Sequence, residues 1–259
     1  MAGNAASRPR YDPGPMKPPS KEVLAELAPS GTLRVGLNYQ NFLLILKDAP
    51  DGTPQGIAPD LARELARRAG LPIEYVRFDS AGKTAEAVRE DKWDVAFIGA
   101  EPQRANEIAF SAAYLEIPIT FLVPPGSPIR SIADIDQEGL RIATAEKSAY
   151  DLYLTRTLKK AKLVRVAGIP ESFERFRDEK LEALSGLKPR LLIDEQAMPG
   201  SRILEGQVGA VQQAVGTPKA RQAAAAWLAA FVEDIKASGL VGRTIASHGI
   251  RGVEVAPPA

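Results

Sequence analysis

The stretch best equipped for chemistry in this 259-residue chain is Trp93–Tyr114, WDVAFIGAEPQRANEIAFSAAY. Asp94–Ile98 is a short apolar run that reads as a buried strand, and Gly99-Ala100 breaks it. Pro102 stands where a helix opens, because its missing N–H is no loss at the first helical position. That places Arg104 in the first turn, at the carboxyl end of the strand. Open α/β sheets hold ligands in the crevice outside those ends. A helix start offers free N–H groups, and a guanidinium grips a carboxylate through two parallel bonds. Read locally, Arg104 is equally a solvated helix residue paired with Glu107 three positions on.

The surrounding pattern supplies a frame for that stretch. Lys21–Ala28 reads as a short amphipathic helix and Thr32–Leu37 as the first strand. Asn38–Leu46 follows as a loop or edge segment. A helix from Pro59 to Arg68 carries Leu61, Leu65 and Ala69 on one face, with Gly70 as its cap. Ile73–Phe78 is a strand and Lys83–Glu90 a helix. This β-α-β-α-β alternation implies a parallel sheet with right-handed crossovers. Glu116–Val123 is a further strand, and the Pro- and Gly-rich run 124–128 punctuates it. A second alternation follows: strand Leu140–Ala143, helix Ser148–Lys160, strand Leu163–Val166, helix Ser172–Asp178, helix Lys180–Leu184 and strand Arg190–Ile193. Gly200–Gly209 is loop-like. Ala210–Val215 is the last strand, and helices Ala220–Lys236 and Leu240–Ser247 close the chain. The outline is two α/β lobes joined by two extended crossings.

Bulk composition excludes several functions. Apolar residues make up 45% and charged residues 25%, as in an ordinary globular protein. With 33 basic and 32 acidic residues, the net charge of +1 offers no basic footprint, so nucleic acid is not an expected partner. The cysteine count is zero and His248 is the single histidine, so neither disulfides nor thiolate or multi-histidine metal sites are expected, and no cofactor is implied. No apolar run reaches the roughly 20 residues that span a bilayer. The N-terminal MAGNAASRPRYDPGPMKPPS lacks the apolar core of a secretory leader and reads as a flexible tail. As written, the chain is expected in the cytoplasm, or in the periplasm if a native leader has been removed.

Taken in order, GTLRVGLN, GIAPDLARELARRAG, KWDVAFIGAEPQRANEIAFSAAY, SPIRSIADIDQEGLRIATAEKSAYDLYL and GTPKARQAAAAWLAAFVEDIKASGLVGRTIASHG resemble the family-3 solute-binding proteins, the amino-acid-binding proteins of ABC importers. The resemblance covers Gly31–Ile250. It implies a two-lobed periplasmic-binding-protein-like II fold (a Venus flytrap), each lobe a mostly parallel sheet flanked by helices. After a tail and short leading helix over 1–30, lobe one would hold 31–118 plus 212–259 and lobe two 119–211. Crossings near Ile117–Phe121 and Ala210–Ala214 would form the hinge. A monomer that closes on a small carboxylate ligand and works with an ABC permease is the implied mode of action.

The resemblance also distributes roles. Arg104 matches the arginine that clamps the ligand α-carboxylate. Ser148 matches the helix start that grips it from the other lobe, which is also what a plain N-cap looks like. Tyr39 and Phe42 stand where the family has an aromatic wall, or pack the core. Gly99 admits the ligand to the backbone or serves the turn. Two departures stand out. The family's hydroxyl-bearing turn is here Gly99-Ala100-Glu101, so Glu101 faces the cleft or caps a helix. The family's ammonium-binding acid falls at Leu187 when Glu182-Ala183 is aligned with its Asp-Ala pair. A buried ammonium without a counter-charge costs several kcal/mol. The ligand is therefore expected to lack a standard α-amino group, or to have it bound by Glu101 or Asp194. The alternatives are a cytoplasmic small-molecule sensor without a transporter, and a lyase like the cyclohexadienyl dehydratases of this fold, with Glu101 as acid beside Arg104.

Overall fold

The computed structural model describes residues 16–259, so most of the expected N-terminal tail lies outside the described residues. In chain order the strands are β1 (Leu33–Asn38), the small hairpin β2 (Lys47–Asp48) and β3 (Pro54–Gln55), β4 (Ile73–Phe78), β5 (Val95–Gly99), β6 (Ile108–Val123), β7 (Arg141–Ala145), β8 (Lys162–Val166), β9 (Ala183–Leu187), β10 (Arg202–Ile203), β11 (Gly209–Pro218) and β12 (Glu254–Val255). The helices are α1 (Lys21–Leu27), α2 (Ile57–Ala69), α3 (Ala81–Glu86), α4 (Ala149–Thr157), α5 (Ile169–Asp178), α6 (Lys188–Ala197), α7 (Gln222–Ala237) and α8 (Leu240–Ser247).

One twisted sheet runs β4-β1-β5-β11-β6-β9-β7-β8. β1 pairs in parallel with β4 and β5, and β7 in parallel with β8 and β9. Between these parallel sets lie two long antiparallel strands, β11 and β6. The sheet therefore has two βαβ halves with β6 and β11 in the middle. In the first half, Leu61 and Leu65 of α2 and Phe231 and Val232 of α7 close over Leu37, Val95 and Phe97. In the second, Phe121, Ile142 and Leu154 pack on one face, and Ala143, Phe173, Phe176 and Leu191 on the other. Every residue of β5 is buried, as expected for a strand covered on both sides.

Three expectations fail. The helix starting at Pro102 is a single 3-10 turn, Arg104–Asn106, and β6 begins two residues later at Ile108. Ile108–Leu115 joins β6 because β11 pairs with it along its length. The third is an inversion near residue 185: Ala183–Leu187 is strand rather than helix, and Lys188–Ala197 is helix rather than strand. Ser185 and Gly186 look wrong for a strand in isolation. The Ser185 hydroxyl, however, donates to Ala143 O at 3.0 Å, and Leu191 sits where a Cβ on Gly186 would be, 3.0 Å away. Pro189 in the first turn opens α6.

Candidate functional site

Arg104 is pinned between the two halves. Its Nη1 donates to Gly99 O at 2.7 Å, at the end of β5, and its Nη2 donates to Lys147 O at 2.8 Å, just before α4. Lys147 adopts a left-handed backbone, φ 57°, which turns the chain into the N-cap of α4. The Ser148 hydroxyl accepts from Asp151 N at 3.1 Å, and Asp151 Oδ2 accepts from Lys147 N at 2.8 Å. The first-turn amides of α4 have no intrahelical acceptor. Gly99 must lack a side chain for this approach: a Cβ would lie 2.9 Å from Val211 and 3.0 Å from Ala149.

Arg104 is only 6% exposed. Among the described residues no carboxylate forms an ion pair with it. Burial pushes its pKa down to about 10, with the Glu101 charge opposing. Two carbonyls satisfy some of its donors but do not neutralise it. A guanidinium held this way is ready for an anion.

Beside it, between the halves, lies a cavity of about 40 Å³, lined among others by Asn38, Asn41, Gly99, Arg104, Ser148, Tyr150, Leu187 and Gln213. That is room for roughly three waters. Arg104 is the one charged side chain among these lining residues. A larger groove of about 290 Å³ opens on the other side of Arg104, past Glu86, Arg89, Glu107 and Lys147. Its charges are already paired with one another, Lys147 Nζ to Glu86 Oε1 at 2.5 Å and Arg89 Nε to Glu107 Oε1 at 2.8 Å. The smaller cavity is therefore the candidate site.

Of the residues singled out in the sequence, Arg104, Gly99 and Ser148 meet at this cavity. Leu187, the position of the absent acid, is in its wall. Glu101 does not line it. Its Oε2 lies 2.6 Å from Arg156 Nη1 of α4, close but off the direction of a good hydrogen bond. Burial pushes the Glu101 carboxyl up, and Arg156 opposes that. Asp194 is paired with Arg190 at 2.8 Å and lines an adjoining small space that shares Tyr150, Ile169 and Leu187 with the cavity. Burial pushes its carboxyl up as well, with Arg190 opposing. Tyr39 donates to Asp48 Oδ1 at 3.1 Å under the Arg77 guanidinium, and burial with that bond pushes its phenol up to about 12. Phe42 faces Arg190, 5.9 Å from its ring centre.

Sequence reasoning missed Asn41 and Gln213. Asn41 sits in an Asx-type turn that starts at Asn38, whose Oδ1 accepts from Gln40 N at 3.1 Å. Gln213 lies at a register shift of β11, opposite Gly99 of β5 and Leu115 of β6. Such bulges re-aim a side chain. A glutamine pair inside the apolar run AVQQAV was the available signal, because Gln is seldom buried without a reason.

Comparison with known proteins follows the same lines. A profile of the bacterial extracellular solute-binding proteins, family 3, matches residues 33–248. No curated protein sequence matches. Among solved structures, the chain resembles the solute receptor for L-cysteine of Neisseria gonorrhoeae, with TM-score 0.71 and 20% identity over 90% of this chain and 99% of that one. It also resembles an amino acid ABC transporter substrate-binding protein from Streptococcus pneumoniae bound to L-arginine, with TM-score 0.70 and 18% identity over 85% and 95% of the two chains. An ancestral amino acid-binding protein, a precursor of cyclohexadienyl dehydratase, is similar at TM-score 0.70 and 20% identity over 86% and 98%.

Proposed function

The chain belongs to the bacterial extracellular solute-binding proteins, family 3, and on that premise we propose that it binds a small carboxylate solute lacking an α-ammonium group, as the binding component of an ABC importer. The observation that carries this reading is the composition of the cavity: one buried guanidinium and no carboxylate among its lining residues. The relatives named above hold L-arginine or receive L-cysteine. Each of those ligands carries an ammonium beside its carboxylate. Here Leu187 is in the wall, and a buried ammonium would go uncompensated.

In this reading lobe one is about residues 31–118 plus 212–259 and lobe two 119–211, hinged where β6 and β11 cross. The carboxylate takes guanidinium N–H groups that the two carbonyls leave free and the amides at the start of α4. It thereby joins groups from both lobes, and contacts that exist only when the lobes meet are what drive closure. The lyase reading loses support because its acid, Glu101, is held by Arg156 away from the cavity. Thermal shift and calorimetric titration over amino, keto and hydroxy acids test the proposal. Arg104→Met should weaken carboxylate binding by about a hundredfold or more. Full affinity in that variant, or a clear preference for a standard α-amino acid, defeats the assignment.

A further inference from the structure

Two side chains in the cavity wall have no use in the carboxylate clamp. Asn41 is 8% exposed and Gln213 is 3% exposed. Asn41 Oδ1 and Gln213 Oε1 are both buried without a hydrogen-bond partner among the described residues. A buried polar group left unmade is costly, and native structures contain few of them. Two such groups lining one small cavity, on elements as far apart in sequence as the turn after β1 and the bulge of β11, point to a shared ligand. Their chemistry narrows it. Side-chain amides both accept and donate, and their O and N ends exchange by a flip. A hydroxyl suits them because it donates to the amide oxygen and accepts from the amide nitrogen. A methyl group would leave them unsatisfied. An ammonium would find acceptors but no counter-charge, which neutral amides do not supply.

Position narrows it further. Gln213 lies opposite Gly99 in the sheet, and Gly99 O accepts from Arg104 Nη1 at 2.7 Å. The amide and the guanidinium line the same small cavity, so the group the amide reads is on the same small molecule as the bound carboxylate. Resting on the carboxylate reading of Arg104, we infer that Asn41 and Gln213 form a neutral subsite that selects a short-chain 2-hydroxy acid. Leu187 and Ile169 face the same space and receive the remaining carbon atoms.

A matched series tests this, with lactate, propionate and alanine differing only at the second carbon. Calorimetric titration of the full chain should give lactate a lead of about tenfold or more over propionate, the cost of unpartnered amides. Alanine should bind more weakly than lactate. In Asn41→Leu and Gln213→Met the lead should shrink to about twofold, since apolar replacements of similar shape have no preference for a hydroxyl over a methylene. Equal binding of lactate and propionate by the unmodified protein overturns the subsite and leaves the carboxylate clamp standing. This arm does not depend on either variant folding. Persistence of the lead in both folded variants also overturns it. Alanine as the tightest ligand, or no binding by any of the three acids, overturns the underlying carboxylate reading as well.

Discussion

Two groups of buried polar residues lie at opposite ends of β5, and they are built on opposite principles. At its start, Asp94 is fully buried between two arginines. Arg34 donates to Oδ2 through its backbone N at 3.0 Å and Nε at 2.9 Å, and Nη2 reaches Oδ1 at 2.8 Å. Arg221, at the N-cap of α7, reaches Oδ1 at 2.7 Å. Burial pushes the Asp94 carboxyl up, but these bonds outweigh it and hold the group below the usual carboxylate range. At the far end, Arg104 has carbonyls for partners but no anion, and the side-chain oxygens of Asn41 and Gln213 have no partner among the described residues. The first cluster is complete without any other molecule and ties β1, β5 and α7 together. The second is complete only when something else enters. A buried charge that has its counter-charge marks structure, and one that lacks it marks a site.

The sharpest way to break this contrast is to remove a member from each cluster and measure stability. Asp94→Ala strands two arginines and should cost about 3–5 kcal/mol, lowering the melting temperature by about 10 °C in a chain of this size. The pH dependence has a definite sign. A carboxyl depressed in the folded state contributes stability above its unfolded pKa and loses it as pH falls through the folded value. Asp94→Ala should therefore be less sensitive to acid than the unmodified chain. Arg104→Met removes a cation whose burial is uncompensated, so the folded protein should change by about 1 kcal/mol or less, in either direction. A large loss of stability in Arg104→Met, as in Asp94→Ala, would make the two clusters equivalent and the site reading untenable.

The difference between the clusters also explains what the sequence disclosed. Element order was readable nearly throughout, because apolar residues recur at helical spacing in α2 and α7 and glycines stand at their ends, the left-handed Gly70 after α2 and Gly239 after α7. The strand Val95–Gly99 was readable because its apolar run is local, whereas a ligand role for Arg104 came from the family resemblance, since read locally it is equally a solvated residue. The segment Ala183–Ala197 was inverted because its small residues answer to neighbours distant in sequence: Ser185 to Ala143, and Gly186 to a leucine of the next helix. Asn41 was invisible for the same reason, and Gln213 showed only as a glutamine pair inside an apolar run. A turn and a bulge on different strands bring them together, and neither residue type announces a site alone. The fates of Glu101 and Asp194 depended on Arg156 and Arg190, partners that only packing could supply.

Leu187 offers a smaller and more specific change. Leu187→Asp places in the cavity wall the counter-charge that the site lacks. On the proposed reading it should raise the affinity for α-amino acids about tenfold while weakening propionate by a similar factor, since a carboxylate ligand then meets a like charge. Titrating both ligands against both proteins checks this, and unchanged selectivity would mean that Leu187 does not contact the ligand.

The smallest expected effect concerns pH, and its smallness is the point. The cavity has one charged lining group, Arg104, held down to about 10 by burial. A cation with a depressed pKa remains charged below that value and loses its charge only as pH rises through it, and a bound carboxylate would raise it again. Simple carboxylic acids are fully ionised above about pH 6. Affinity for a 2-hydroxy acid should therefore change by about twofold or less between pH 6 and 9. Glu101, whose carboxyl burial pushes up, does not line the cavity and pairs with Arg156 rather than with the ligand. If affinity instead bends by tenfold within the window, a second titrating group takes part in binding. The neutral-amide account of the cavity, and with it the contrast between a self-sufficient cluster and one completed by a ligand, would then need a different chemistry.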